Sequence, residues 1–233
     1  VVNRKGIFME NSVEKVIGDF WDNYSSEFDG EHDTENIDVW KKYLEEILGA
    51  DKNKVVLDMG AGTGFLANMT AELGYTSIGV DISRKMLEYA VDHADKKKVS
   101  AAYMYGSILD LPFMDNTADY VINARVLWTL VEPDKAIKEW ARVIKPGGSI
   151  FCFNRMKEDE GITVYKKDFY DNKEVDDKLV VQGAKMDELK NLMERNGLVN
   201  VRIEQLPDTY KDEALKDMDW YQPWFVLAAD KPL

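Results

Sequence analysis

The chain has 233 residues, of which 45% are apolar and 31% charged, the profile of a soluble globular protein with chain enough for a large core. Thirty Lys and Arg against 43 Asp and Glu give a net charge of −13, which speaks against a nucleic-acid partner, because phosphate neutralisation supplies most non-specific affinity. No apolar run approaches the ~20 residues of a membrane span, no signal-peptide core is visible, and the single cysteine, Cys152, excludes an intrachain disulfide and a cysteine metal cluster, so a cytoplasmic protein with no metal and no membrane partner is expected.

In chain order, Val13, Val16, Ile17, Phe20, Trp21, Tyr24 and Phe28 recur at helical spacing and predict a helix with one apolar face. Asn11 with Glu14 resembles a capping box. Ile37, Trp40, Leu44, Ile47 and Leu48 predict a second helix, stopped by Gly49. From Lys54 the pattern changes. VVLDM, TSIGVD, SAAYMY, ADYVINARVL and SIFCFN read as short strands. Between them FLANMTAEL, then SRKMLEYAVDHADKK with Ser83 as its N-cap, read as helices, and so does the stretch from Pro133 to Ile144, closed by KPGG. The basic run Lys96, Lys97 and Lys98 reads as a solvated helix end. Strands alternating with helices indicate a parallel sheet with right-handed crossovers. After Arg155 the alternation breaks: residues 156–184 are charged, with Tyr165, Phe169 and Tyr170 among them. KMDELKNLMERNG then reads as a helix, and LVNVRIEQL and PWFVLAAD read as strands around a charged insert.

The strongest local signal is Asp58-Met59-Gly60-Ala61-Gly62-Thr63-Gly64, directly after a strand and opening a helix. Glycines there allow a tight turn and let a ligand lie against bare backbone. Phe65 occupies the last position of G-x-G-x-x-G, so a dinucleotide fingerprint is not matched, and no G-K-[ST] follows to make a phosphate loop. Asp81 ends the second strand, where a carboxylate can accept both hydroxyl hydrogens of a ribose at the carboxyl edge of the sheet.

With these residues in place, the sequence resembles the class I S-adenosylmethionine-dependent methyltransferases, in the small-molecule type 11 branch that includes ubiquinone and menaquinone methyltransferase-like enzymes. VLDMGAGTGFLA, GVDIS, LPFMDNTADYVINARVLWTL and EPDKAIKEWARVIKPGGSI carry the resemblance in the family's order. It implies an α/β fold: a Rossmann-like seven-stranded, mostly parallel sheet with helices on both faces, the last strand antiparallel, plus an N-terminal helical lid. It implies one domain over 1–233, with a lid at 1–50, a cofactor-binding core at 54–155, and insertions at 156–184 and 207–222 shaping the acceptor site. Gly60, Ala61, Gly62 and Gly64 would line the methionine and ribose part of S-adenosylmethionine, with Asp58 orienting the amino group. Asp81 would hold the ribose, and Ile82 would pack on adenine beside Ser107, Ile108 and Leu109. The family usually has an Asp where this chain has Ser107, which removes a charge-assisted contact. Asn123, Ala124 and Arg125 would face the methionine end and the acceptor, and Tyr24 would close over the cofactor.

Methyl transfer from a sulfonium is an in-line displacement with a neutral leaving group, so alignment is the protein's main task. A base helps where the acceptor must lose a proton. His32, in the linker between the first two helices, is the candidate base, and Arg125 the candidate carboxylate anchor. Trp21 and Trp40 read equally as helix packing or as site residues, Trp128 and Trp140 as core, and Cys152 as a buried core thiol. The expected function is methyl transfer to a small-molecule acceptor. The alternatives are a cofactor-binding protein without catalysis, transfer of another group, and an NAD-dependent oxidoreductase. The sequence does not give an oligomeric state.

Overall fold

The computed structural model describes residues 12–157, 161–162, 168–218 and 221–233. Asn11 and Tyr165 lie outside the described residues, as do parts of both expected insertions. The first helix, α1 (Val13–Phe28), is capped by Ser12, whose Oγ accepts the Lys15 N–H at 3.2 Å. A second helix, α2 (Ile37–Leu48), ends at Gly49 with φ 77°. The sheet then forms from β1 (Val55–Met59), β2 (Thr76–Asp81), β3 (Ala102–Tyr105), β4 (Ala118–Ala124) and β5 (Ile144–Lys157). The crossovers carry α3 (Phe65–Glu72), α4 (Arg84–Lys97) and α5 (Pro133–Val143). The two-residue β6 (Gly161–Ile162), the short α6 (Lys173–Asp176), α7 (Met186–Glu194), β7 (Val199–Gln205) and β8 (Trp224–Asp230) complete the chain.

The strand order is β3-β2-β1-β4-β5-β8-β7, with β6 paired to the end of β5. Strands β1 to β5 run parallel, and β8 runs antiparallel to both β5 and β7. The mostly parallel sheet with an antiparallel last strand is the expected architecture; β6 adds an eighth strand. Sequence order reverses where β1 lies between β2 and β4, the switch point at which such sheets leave a crevice beyond their carboxyl ends.

Both faces of the central strands are buried, so they read as apolar runs while their side chains still alternate. Val56, Ile122, Phe151, Phe153, Val226 and Ala228 share one cluster with Trp40, Leu44 and Leu48 of α2 and Leu66 and Met69 of α3. Leu57, Val121, Ile150, Cys152, Leu227 and Ala229 share the opposite cluster with Ala136, Ile137 and Trp140 of α5 and Leu189 and Met193 of α7. The two N-terminal helices therefore part company: α2 is a layer of the core, whereas α1 lies across the carboxyl edge of the sheet.

Three boundaries differ from expectation. ADYVINARVL stops being a strand at Ala124, because Arg125 takes a left-handed φ of 60° and Leu127–Thr129 form a 3-10 turn. The helix from Pro133 ends at Val143, and Ile144 already pairs with Ala118. KPGG thus lies within β5 as a bulge, with the register resuming at Tyr120 and Ser149. A Cβ on Gly148 would come 2.5 Å from the Asp119 carbonyl oxygen, so the bulge requires glycine there. The lysine run closes α4 as expected. Among the described residues, no helix is long and apolar enough to cross a membrane.

Candidate functional site

The glycine turn is formed by the backbone of β1 and β2 together. The N–H groups of Gly60 and Ala61 both donate to the Val80 carbonyl, at 2.8 and 3.1 Å, and Gly60 has φ 68°. A Cβ on Gly60 would lie 2.6 Å from Val126 Cγ2, so the turn fits only as bare backbone. Asp81 is tied to the same turn. Its Oδ2 accepts the Gly62 N–H and its Oδ1 accepts the Ser83 N–H, each at 2.8 Å. Burial pushes its carboxyl up to about 6, against the pull of the Ser83, Gly62 and Ile82 N–H groups.

A cleft opens beyond these residues, enclosing about 1090 Å³ including its open mouth. Its floor is Gly60, Gly62, Asp81, Ile82, Met86, Ser107, Ile108, Leu109, Ala124 and Arg125, and its far wall is Val126, Trp128, Thr129, Leu130, Val131 and Phe169. Helix α1 and the turn after it form the cover with Glu14, Ile17, Trp21, Tyr24, Phe28 and Glu31. Polar side-chain contacts and the packing of Phe20 and Trp21 on Phe169 and Tyr170 hold α1 there. Asp22 Oδ1 accepts the Ser83 hydroxyl at 2.6 Å and the Lys85 N–H at 3.1 Å, joining the N-terminus of α4 to α1. Trp21 Nε1 donates to the Tyr170 hydroxyl at 3.1 Å. Phe169 packs edge-on against Trp128 with ring centroids 4.8 Å apart, so the far wall is aromatic.

Arg125 is 8% exposed and lines the cleft. Its N–H donates to the Phe153 carbonyl at 2.7 Å, which keeps the ladder to β5 while the chain turns away. Its Nη1 donates to Glu31 Oε2 at 3.0 Å, and its guanidinium lies 4.6 Å from the centroid of the Phe28 ring. Nη2 lies 3.4 Å from His32 Nε2. A guanidinium only donates, so Nε2 presents its lone pair and the imidazole proton is assigned to Nδ1. Burial, with Arg125 and Arg155 nearby, holds the His32 pKa well below its ordinary value.

Not every residue singled out by sequence meets at the cleft. Tyr24, Gly60, Gly62, Asp81, Ile82, Ser107, Ile108, Leu109, Ala124 and Arg125 line it. His32 does not: it stacks on Phe65 with centroids 3.8 Å apart, behind Arg125, its lone pair turned to the guanidinium. Asp58 is 2% exposed and points into α3, where Oδ2 accepts the Ala67 N–H at 3.0 Å. Ala61 is buried on Gly79, and Gly64 at φ 84° caps α3, where a Cβ would meet the Tyr103 hydroxyl at 2.5 Å. Asn123 is buried with its amide donating to Cys152 Sγ at 3.1 Å. These residues alternate with, or stand one turn from, those that face the cleft. From the insertion at 156–184 Phe169 reaches the wall, whereas among the described residues none of 207–222 lines the cleft. That insert straps the linker after α1 instead, with Asn36 and Lys211 N–H groups donating to the Thr209 and Thr34 carbonyls.

Sequence reasoning left out Glu14, Phe28, Glu31 and Thr129 as site residues; Trp128, expected in the core, is buried there and lines the cleft as well. The signal for Glu14 was present: positions 14, 17, 21, 24 and 28 share one helical face, and all five line the cleft. Glu31 and the 3-10 turn gave no such signal, because both depend on where β4 ends.

The model of a family described as a methyltransferase domain matches residues 57–152. The chain is 29% identical over 196 residues to a ubiquinone/menaquinone biosynthesis C-methyltransferase of Haemophilus ducreyi, covering 72% of this chain and 73% of the relative. Its fold is shared with a S-adenosylmethionine-dependent methyltransferase of Thermotoga maritima, described as a possible histamine N-methyltransferase, at a TM-score of 0.64 and 20% identity over 92% of this chain and 99% of the other. It is also shared with phosphoethanolamine N-methyltransferase 2 of Haemonchus contortus, solved with S-adenosylmethionine, at a TM-score of 0.61 and 19% identity; 83% of this chain spans about half, 52%, of that longer protein.

Proposed function

We propose that this chain, a class I S-adenosylmethionine-dependent methyltransferase of the type 11 branch, methylates a small, largely apolar acceptor held against the aromatic wall of the cleft. One observation carries the reading. The ribose-type carboxylate Asp81 and the bare turn at Gly60 and Gly62 open into the same cleft as Trp21, Tyr24, Phe28, Trp128 and Phe169. The residues present fit the cofactor. Of the four lone pairs on the Asp81 carboxylate, the Gly62, Ser83 and Ile82 N–H groups engage three and leave one for a ribose hydroxyl. Ile82, Met86, Ile108 and Leu109 offer an apolar slot for a base, and no side chain stands at Gly60 or Gly62.

When bound, S-adenosylmethionine supplies an electrophilic methyl group on a sulfonium that departs as a neutral thioether. The protein's residues orient and shield. The aromatic wall and α1 exclude water and fix the acceptor in line, an effect of up to ~7–11 kcal/mol in favourable cases. Arg125, its charge balanced by Glu31, has N–H donors beyond those that meet Glu31 and His32 with which it can bind a carboxylate. His32 positions Arg125 from behind. Asp58 positions the start of α3 and, through it, the glycine turn. The flat, apolar cleft would suit a ring like those implied by the name of the Haemophilus relative, and the acidic surface suits a small molecule better than a nucleic acid.

The test is calorimetry with S-adenosylhomocysteine and NAD, followed by methyl-labelled cofactor with a demethylated quinol and a pool of small metabolites. Binding of S-adenosylhomocysteine and one labelled product are expected. Heat with NAD and none with S-adenosylhomocysteine would overturn the reading.

A further inference from the structure

Two cleft-lining groups, Ser107 on the floor and Glu14 on the covering helix, meet at the end of β3. Ser107 follows β3 and stands next to the end of β2, since Asp81 pairs with Tyr105 and its carbonyl accepts the Gly106 N–H at 2.9 Å. Its hydroxyl is fixed: Oγ accepts the Leu109 N–H at 3.1 Å and donates to Glu14 Oε1. Glu14 belongs to the first turn of α1, on the covering helix rather than on the sheet. Around this pair the cleft is lined by Ile17, Ile82, Met86, Ile108 and Leu109. The result is an apolar slot with one carboxylate aimed into it. With Oε1 engaged by Ser107, Oε2 has no hydrogen bond among the described residues. A carboxylate only accepts, so the slot selects a flat ring whose edge carries an N–H donor.

We propose that Glu14, oriented by Ser107, reads the exocyclic amine of the cofactor's adenine, an inference that rests on the proposed function. Base recognition is then divided between the sheet edge and the covering helix. Cofactor binding itself draws α1 onto the cleft, because one partner of the amine travels with that helix. Ser107 acts as a positioning residue: it holds the carboxylate in register and has no hydrogen left to give the base.

The experiment is calorimetry of the whole chain with S-adenosylhomocysteine and with its hypoxanthine counterpart, S-inosylhomocysteine, whose 6-oxo group accepts where the amine donates. The wild type should prefer the adenine ligand by roughly tenfold or more, since a carboxylate facing a carbonyl oxygen leaves both unpaired. Glu14→Ala should bring the two affinities together, and Glu14→Lys, which only donates, should favour the 6-oxo ligand. Ser107→Ala should narrow the preference while leaving α1 intact. Asp81→Ala serves as the control, because both ligands share the ribose: it should weaken both and keep their ratio. A wild-type ratio near one, or an unchanged ratio in both Glu14 variants, would overturn the inference while leaving the cofactor assignment standing. Failure of the wild type to bind either ligand would overturn both.

Discussion

Arg125 Nη1 lies 3.0 Å from Glu31 Oε2, and the Arg125 backbone beneath that contact is left-handed, with φ 60°. Such a φ costs a residue with a Cβ roughly 1–2 kcal/mol. The cost is offset by the N–H bond to Phe153 and by the guanidinium held among Glu31, His32 and Phe28. Arg125→Gly removes the strain with the side chain, whereas Arg125→Ala removes only the side chain. The glycine variant should therefore be the more stable by about 1 kcal/mol in urea unfolding. Both variants should lose acceptor turnover. An alanine variant as stable as the glycine one would show that the turn is not strained.

Asp58 gives stability a pH dependence. Burial pushes its carboxyl up to about 8, and the charge of Asp81 adds to the effect. In the unfolded chain it titrates near ~3.9. The folded state therefore binds the proton more tightly, so this contribution is complete below about pH 4 and is lost as the pH rises toward 8. Asp58→Asn keeps an acceptor for the Ala67 N–H and cannot ionise. Its stability relative to wild type should rise between pH 5 and pH 8, read from urea midpoints. A constant difference would mean that Asp58 is already charged at pH 5.

Asp81 should set the pH dependence of cofactor binding. Its carboxyl, pushed up to about 6, accepts a ribose hydroxyl best when ionised. Affinity for S-adenosylhomocysteine should rise from pH 5 to pH 7 and be flat over that range in Asp81→Asn. Asp81→Ala should weaken binding by about 1.5–3 kcal/mol while the fold survives. Calorimetry at the two pH values decides, and unchanged affinity in the folded alanine variant would leave Asp81 as a turn residue only.

The two N-terminal helices should differ in hydrogen exchange. α1 is held by polar contacts at the sheet edge and by Phe20 and Trp21 packed on Phe169 and Tyr170, outside the main core, whereas Trp40, Leu44 and Leu48 of α2 are buried in the core. Amides of α1 should exchange faster in the free protein than those of β1 and β4, and S-adenosylhomocysteine should slow them. Those of α2 should not respond. Asp22→Ala, which frees the Lys85 N–H and the Ser83 hydroxyl, should cost about 1 kcal/mol and speed exchange in α1. Slow exchange in α1 indifferent to ligand would make it a fixed layer rather than a gate.

Glu35 is the polar anchor of the linker between those helices. It is 0% exposed, and its oxygens accept from the Trp40 indole at 2.9 Å, the Trp224 indole at 2.9 Å and Arg155 Nη2 at 3.1 Å. Glu35→Ala would remove the carboxylate that two buried indole N–H groups and Arg155 share, costing about 3–5 kcal/mol in thermal unfolding. Glu35→Gln keeps one acceptor and should cost less. Equal stability of the alanine variant would assign the linker's hold to the strap at Thr209 and Lys211 alone.

The residues by themselves determined the order of strands and helices, the glycine turn and the strand-end acid Asp81, because each follows from local periodicity or from a few neighbours in the chain. The Asp58-to-Gly64 turn is legible for that reason. What the tertiary structure decided is which side each residue faces. Asp58 and Asn123 belong to strands buried on both faces, where apolar runs hide the alternation that turns one neighbour to the cleft and the next into the core. The left-handed Arg125 ended β4 early and built a wall from Val126, Trp128 and Thr129, which a reading of ADYVINARVL as one strand placed elsewhere. His32 went behind Arg125, and α2 separated from α1 into the core. Such placements rest on contacts between residues far apart in sequence, Arg125 with Glu31, Glu14 with Ser107, and Glu35 with Trp224, and no local pattern encodes them.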